Sequence, residues 1–404
     1  MRGAETQQKI LDAALDVFAA RGFHDTRVEL ITEAAGCSRP AFYQYFSSKD
    51  DVFWVLARGL ARELGELADE LGQVTADADG VRRLSQWFDV LVDLHVEYAP
   101  VFNMFQAAIR TQAPVGRRSR RISDRVGAAL LGSVGDSEPE LALDGLATTT
   151  VTTLLRSIHY WRAGIGQLPR ERFVVGTAQT IHRLLHGRID GVNTGSRRVT
   201  PRTRPPRFPE PPAVTSKRTP GPQGQKTRQK LLDAGSTVLP MRGYHETRVD
   251  DIADAAGLSH GCFYRYFANK DELFHALAAQ AAERMVELVT AFPEDDDEGA
   301  LREWLRDWFA SYRANGGVIS AWQELDYDDP ALATFSLEVA IVVFDRLSRI
   351  VGRRGFGDAT VDATSLLAVI ERVPYSVLVL GYLDEAEAVE AAVFIVRRAL
   401  LGLG

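Results

Sequence analysis

Residues 26–49 read TRVELITEAAGCSRPAFYQYFSSK and contain the signals of two short helices joined by a tight turn. Thr26, followed three residues later by Glu29, has the spacing of a capping box, which predicts that a helix begins here. Gly36 is predicted to end that helix, and Ser38 is predicted to cap the start of the next one. Two short helices separated by such a turn form a helix-turn-helix motif.

The second helix of this motif has one apolar side and one polar side. Phe42 and Phe46 stand four residues apart, so both are predicted to point into the core. The other side chains are left available to contact another molecule: Arg39, Ala41, Tyr43, Gln44 and Tyr45. This pattern is typical of a recognition helix, which lies in the major groove of DNA.

The same motif returns 221 residues further along the chain, as TRVDDIADAAGLSHGCFYRYFANK at 247–270. Residues 6–53 and 227–274 align without a gap and are identical at 25 of 48 positions. A repeat of this length indicates an internal duplication. We therefore expect two similar units in one chain.

Residues 6–23, TQQKILDAALDVFAARGF, followed by this motif and by FYQYFSSKDDVF, resemble the TetR family of bacterial transcription regulators. The resemblance is specific over residues 6–60 and 227–281. It implies an all-α fold in which each unit has a three-helix DNA-binding domain and a connecting fourth helix. A helical ligand-binding domain follows, and its last two helices pair with a partner in a four-helix bundle.

Composition places the chain among ordinary globular proteins, with 46% apolar and 25% charged residues among 404. Two cysteines are too few for a disulfide framework, and the histidines show no metal-ligand spacing. We find neither a signal peptide nor a membrane-spanning apolar run, so we expect a cytoplasmic protein without a membrane partner. The net charge of −7 is unusual for a DNA-binding protein, but basic residues cluster around each helix-turn-helix.

Residues 191–225 differ from the rest of the chain. They hold 8 of the 17 prolines, seven basic residues and one acid, Glu210, which indicates a linker. This linker is either a solubilising tether or, through the arginines of PRTRPPR, an arm for the minor groove. The expected organisation is two DNA-binding domains (1–50 and 226–272), two ligand-binding and dimerisation domains (51–190 and 273–404), and the linker between them.

The second copy departs from the first in its first helix. Pro240 stands near the end of this helix, and Gly235, Ser236 and Thr237 replace good helix formers. These residues predict a weaker first helix in the second unit.

The family motif, carried over residue by residue, divides the candidate DNA contacts into base readers and phosphate contacts. The base readers implied by the resemblance are Arg39, Pro40, Ala41 and Gln44, with counterparts His260, Gly261, Cys262 and Arg265. The phosphate contacts are Arg27, Tyr43, Tyr45 and Lys49, with counterparts Arg248, Tyr264, Tyr266 and Lys270. Ser38 and Ser259 complete the candidate DNA-binding set.

We call the two ligand-binding and dimerisation domains, 51–190 and 273–404, the sensor halves. Polar groups within their otherwise apolar helices are candidate anchors for a small molecule, although surface or capping roles are an open alternative. The aromatic residues among them suit either a pocket wall or a core. The candidate ligand-binding residues are Trp87, Phe102, Phe105, Arg156, Tyr160, Trp304, Trp308, Trp322, Glu371 and Tyr375.

The sequence contains no arrangement of nucleophile, base and acid, so we expect neither an enzyme nor a cofactor. The predicted function is a sequence-specific DNA-binding regulator, a repressor released by a hydrophobic effector. It would act on double-stranded operator DNA as a single-chain pseudo-dimer, and further homodimerisation stays open. The alternative is a small-molecule sensor that acts through protein contacts, with one DNA-binding unit degenerate.

Overall fold

The computed structural model describes residues 2–23, 25–102, 104, 113–132, 134, 143–195, 206–210, 221–244, 246–293, 296–325 and 330–403. These residues form helices and connecting loops, and no β-strand occurs among them. None of the described helices is long and apolar enough to cross a membrane.

The first unit contains eight described helices: α1 (Arg2–Arg21), α2 (Val28–Ala34), α3 (Arg39–Tyr43), α4 (Lys49–Glu70), α5 (Ala78–Glu97), α6 (Ala113–Leu131), α7 (Leu143–Arg162) and α8 (Arg170–His186). The second unit repeats this plan: α9 (Pro222–Arg242), α10 (Val249–Ala255), α11 (His260–Phe263), α12 (Lys270–Thr290), α13 (Glu298–Leu325), α14 (Pro330–Gly352), α15 (Ala359–Leu378) and α16 (Glu385–Phe394). A π-helical segment, Ile395–Leu400, continues α16.

The N-terminal helices of each unit pack around a small apolar core. In the first unit, Phe42 and Phe46 are buried as their spacing predicts, together with Ile31 on α2 and Phe53 on α4. Gly36, with φ of +63°, ends α2 in a left-handed turn that strains other residues. The predicted helix-turn-helix is therefore present, and 260–263 with 249–255 form its second copy.

The predicted capping box at Thr26 is wrong. Helix α2 begins at Val28 with Arg27 as its N-cap residue, and no side chain caps that end. The Thr26 hydroxyl instead donates to the carbonyl oxygen of Gly22, 2.6 Å away. The backward hydrogen bond, repeated between Thr247 and Gly243 at 2.7 Å, joins the loop to the end of the preceding helix.

The first helix of the second unit is continuous to Arg242, so Pro240 does not interrupt it. Gly235 is buried, and a Cβ atom placed there would lie 2.7 Å from the Leu273 side chain. The glycine that predicted a weaker helix therefore allows α9 to pack closely on α12.

The two units meet through their last helices. Helix α7 packs along α15, and α8 contacts both α15 and the π-helical segment. At one crossing a Cβ atom on Gly176 would lie 2.7 Å from a methyl group of Val361, so these two helices need a glycine to approach this closely. The result is a bundle of helices contributed by both halves of one chain.

Parts of the predicted linker belong to the second helical unit or contact it. Helix α9 begins at Pro222, within the range expected to be linker. The ring of Phe208 lies edge-on to that of Phe335 on α14, with 6.2 Å between the ring centroids. The segment PRTRPPR falls at 201–207, of which only Pro206 and Arg207 are among the described residues.

Candidate nucleic-acid interface

Each recognition helix is capped as its sequence predicts. The Ser38 hydroxyl accepts a hydrogen bond from the Ala41 backbone N–H at 3.2 Å, and Ser259 accepts one from Cys262 at 3.3 Å. Because one buried phenylalanine lies in each short helix and a second follows its end, the exposed side chains of the helix are held on a fixed backbone.

The candidate DNA contacts have matching exposure in the two copies. Tyr43 is 50% exposed and Tyr264 is 49% exposed, although tyrosine usually buries its ring. The other exposed residues of the candidate set are Arg27, Ser38, Arg39, Pro40, Gln44, Arg248, Ser259, His260, Gly261 and Arg265. Ala41, Tyr45, Cys262 and Tyr266 are half-buried.

Lys49 and Lys270 have a structural role that the sequence did not predict. The Lys49 ammonium donates to the carbonyl oxygens of Phe23 at 2.7 Å and Thr26 at 2.9 Å. It also lies 4.6 Å from the Phe23 ring centroid, a cation–π distance. Lys270 makes the same two contacts one repeat later, at 2.6 Å to Tyr244 and 3.0 Å to Thr247. Each lysine thus connects the loop between the first two helices to the start of the fourth helix through hydrogen bonds.

Acidic residues accompany the first residue of each recognition helix. The Arg39 guanidinium lies 2.9 Å from a Glu29 carboxylate oxygen. A hydrogen bond with Tyr43, together with the Glu29 charge, raises the pKa of Arg39. In the second copy His260 contacts Asp250, which occupies the position equivalent to Glu29. Sequence reasoning missed these partners, although their ten-residue spacing is the same in both copies.

Three of the four tryptophans proposed as ligand contacts, Trp87, Trp304 and Trp308, are buried in the cores of the sensor halves. The indole N–H of Trp87 donates to the Leu67 carbonyl, and that of Trp304 donates to the Leu288 carbonyl, both at 2.8 Å. The Trp308 indole donates to the Ile370 carbonyl at 2.6 Å. These bonds satisfy the buried N–H groups without a ligand.

Arg156, Tyr160 and Glu371 come together at the contact between the two units. The Arg156 Nε atom lies 2.8 Å from the Glu371 carboxylate, which also accepts a hydrogen bond from the Tyr160 hydroxyl. Burial alone would raise the pKa of Glu371, but the charges of Arg156 and Arg372 and the hydrogen bonds from Tyr160 and Arg156 together lower it below its usual value. The Arg372 guanidinium lies 4.8 Å from the centroid of the Tyr375 ring.

Two buried polar groups lie in the same region. The Tyr312 hydroxyl and His95 Nδ1 have no hydrogen-bond partner within the described structure. Burial, with smaller effects of Arg162 and Arg156, lowers the pKa of His95 to about 3. The His95 ring stacks on Phe102, with 4.7 Å between the ring centroids. Phe105 and the side chain of Trp322 lie outside the described residues.

Two open clefts lie on the surfaces of the sensor halves. The first, of about 510 Å³, lies beside Trp87 and is bordered by charged residues that include Asp77 and Arg83. The second, of about 390 Å³, lies between α12 and α14. Apart from Trp87, neither cleft is lined by the predicted ligand residues. Among the described residues, no group of three or more His, Cys, Asp or Glu side chains could hold a metal ion.

A family model described as bacterial regulatory proteins, tetR family, matches the chain twice, at residues 10–54 and 231–277. The HTH-type transcriptional regulator YdgC of Bacillus subtilis is 37% identical over 70 residues, which span 17% of this chain and 36% of that protein. The HTH-type transcriptional repressor AcnR of Corynebacterium jeikeium is 29% identical over 131 residues, covering 30% of this chain and 69% of that one. The structure of Salmonella enterica GusR aligns with 42% of this chain and 94% of its own, at 19% identity and a TM-score of 0.36.

Both family matches coincide with the two capped helix-turn-helix motifs described above. They confirm the resemblance of the duplicated segments, and they leave the helices that follow each motif outside the matched ranges. The chain therefore contains two tandem units, each matched at its helix-turn-helix by the model of the tetR family of bacterial regulatory proteins.

Proposed function

We propose that this chain is a DNA-binding transcription regulator whose two recognition helices act as a pair on an asymmetric operator. The observation that supports this most directly is the difference between the two helices at exposed positions of equal backbone geometry. Both helices have the same serine cap and phenylalanine anchors, yet Arg39 is replaced by His260 and Gln44 by Arg265.

These differences change the hydrogen-bond donors that reach base edges. An arginine pairs well with guanine, and a glutamine pairs well with adenine. The first copy presents arginine early and an amide later, whereas the second presents an imidazole early and a guanidinium later. The exposed tyrosines are retained in both copies, so both units would dock on the phosphates in the same way and read different bases.

The pairing of the units within one chain is part of this proposal. Family homodimers use two identical recognition helices, and their operators share the two-fold symmetry. Here the contact of α7 with α15 supports a single-chain pseudo-dimer, which removes the need for a palindrome. Light scattering at low micromolar concentration should give the mass of one chain, 44.6 kDa, and a stable species of twice that mass would contradict the pseudo-dimer.

In vitro selection from a random DNA pool tests the operator. The full-length chain should recover two unlike half-sites in a fixed order, and a palindrome as the tightest site would overturn the proposal. A matched control gives the second recognition helix the residues of the first through four substitutions: His260→Arg, Gly261→Pro, Cys262→Ala and Arg265→Gln. This variant should recover a symmetric site.

We further propose that the regulator is a repressor released by a hydrophobic effector bound in the sensor halves. The name of the C. jeikeium relative, a transcriptional repressor, supports the direction of regulation. Release would require the bundle to transmit a change to both recognition helices. The bundle contains helices of both sensor halves, which supports such a transmission. An effector added to the complex of the protein with its selected operator should raise the Kd for that DNA by about tenfold or more.

A further inference from the structure

Within the described part of the chain, three ion pairs cross the contact between the two units. Each joins an arginine of α7 or α8 to a carboxylate at the start of α15 or within it. The pairs are Arg156 with Glu371 at 2.8 Å, Arg172 with Asp358 at 2.7 Å, and Arg183 with Asp362 at 2.5 Å.

In all three pairs the two charges are distributed between the units in the same way. Every guanidinium belongs to the first unit and every carboxylate belongs to the second. The sequences of α7 and α8 offer few such carboxylates, since they contain only Asp144 and Glu171, both in a first turn. These residues stand 12 positions before Arg156 and Arg183, respectively.

The Arg183 site is the most completely enclosed of the three. Its side chain is 1% exposed, and that of Asp362 is 3% exposed. Arg183 also donates to the Ala399 carbonyl of the second unit at 2.6 Å and to the Asn193 carbonyl at 2.9 Å. A Cβ atom on Gly357 would lie 1.9 Å from the Asp362 carboxylate. The loop before α15 therefore needs a glycine at this position to leave space for the ion pair.

We infer that these ion pairs select the partner of the first unit: its bundle helices accept a second unit and reject another first unit. A two-fold contact between two first units would bury the same arginines against α7 and α8, whose acidic residues are confined to the first turns. Removing one partner of a buried pair is strongly destabilising, since it leaves an uncompensated charge away from water. Specificity of this kind comes from the penalty on the wrong partner more than from affinity for the right one.

The inference rests on the pairing of units in the proposed function but not on DNA binding. It explains how a chain with two similar units avoids association between two first units. A charge-reversal experiment on the Arg156 and Glu371 pair tests it in the full-length chain.

Glu371→Arg places three guanidiniums together, because Arg156 and Arg372 remain, and should raise the unfolding equilibrium constant by about 100-fold or more. Arg156→Glu should be destabilising to a smaller extent, since Arg372 stays beside both carboxylates. The double variant restores one carboxylate among two guanidiniums and should return within about tenfold of the parent. A double variant no more stable than Glu371→Arg alone would overturn the inference.

Refolding the two single variants together provides the direct test of partner choice. Each unit of one chain then finds its complementary charge only on the other chain. Light scattering should show a species of twice the chain mass that contains both variants, whereas each variant alone should not form it. Absence of the mixed species would mean that the charges do not select the partner.

The matched control is the Arg302 and Glu390 pair, 2.6 Å apart and contained within the second unit. Mixing Arg302→Glu with Glu390→Arg should leave the mass at one chain. A parent chain that is already two chains in solution would contradict the pseudo-dimer itself. Failure of the charge reversal in a one-chain parent would contradict only the partner selection.

Discussion

The Arg39 guanidinium, at the first position of a recognition helix, lies 2.9 Å from the carboxylate of Glu29 on the preceding helix. One repeat later His260 and Asp250 make the equivalent contact. In the proposed function, the acidic residue would oppose the approach of phosphate and would orient the donor that reads a base. It would thereby couple the affinity of each helix for DNA to its selectivity.

Glu29→Gln should raise affinity for all DNA sequences while weakening discrimination at the base that Arg39 reads. Removal of one negative charge at this surface should strengthen binding by roughly 3- to 10-fold at low salt, and the gain should shrink as salt screens it. Fluorescence anisotropy with the selected operator and its single-base variants measures both effects. Glu33→Gln, on the same helix, is the control, and equal discrimination in the two variants would contradict an orienting role for Glu29.

Tyr43→Phe should weaken binding to every operator variant by a similar factor. The exposed hydroxyl is predicted to contact a phosphate, which carries no base information. The same assay with Tyr264→Phe should give a matching loss in the other half-site. A loss confined to particular base pairs would contradict a phosphate role and would mean that Tyr43 acts on the bases, directly or through its hydrogen bond with Arg39.

Lys49→Met should destabilise the first DNA-binding unit. The substitution removes hydrogen bonds from an ammonium to two carbonyl oxygens, which typically contribute about 1–3 kcal/mol to the free energy of unfolding. Hydrogen exchange of the amides in α1 and α2 measures this local stability. If Lys49 acted only on phosphate, exchange would be unchanged and DNA affinity alone would fall.

Arg265→Ala should relax the preference at one base pair of the second half-site. An arginine that pairs with guanine contributes about 1–3 kcal/mol of discrimination against other bases. Quantitative binding to the four base variants at each position identifies the pair it reads. A uniform loss at every position would assign Arg265 to the phosphate backbone.

His95→Phe should make the protein less sensitive to acid. Burial lowers the pKa of His95 from 6.5 to about 3, so below pH 6.5 the unfolded chain binds a proton that the folded chain does not. The free energy of unfolding should therefore fall as the pH decreases from 6.5 toward 3, by up to ~1.4 kcal/mol per pH unit from this residue. Urea unfolding at several pH values should show that the advantage of His95→Phe grows as the pH falls. A difference that is independent of pH would contradict this assignment.

Local sequence signals predicted most of the DNA-binding units. Ser38 caps α3 and Phe42 and Phe46 are buried, because a cap and a helical period depend only on residues within one or two turns. The prediction failed at Thr26, where a carbonyl oxygen four residues earlier competes with the expected cap.

The duplication and the identity of the helices were determined by the sequence alone, since both follow from spacing along the chain. Only the tertiary structure decided that Arg156 and Tyr160 meet Glu371, which lies 215 and 211 residues further along the chain. It likewise directed Lys49 to carbonyl oxygens 26 and 23 residues before it. A charged side chain in an apolar helix predicts that a partner exists, but the partner depends on how separate helices pack, and that packing leaves no period or spacing in the sequence.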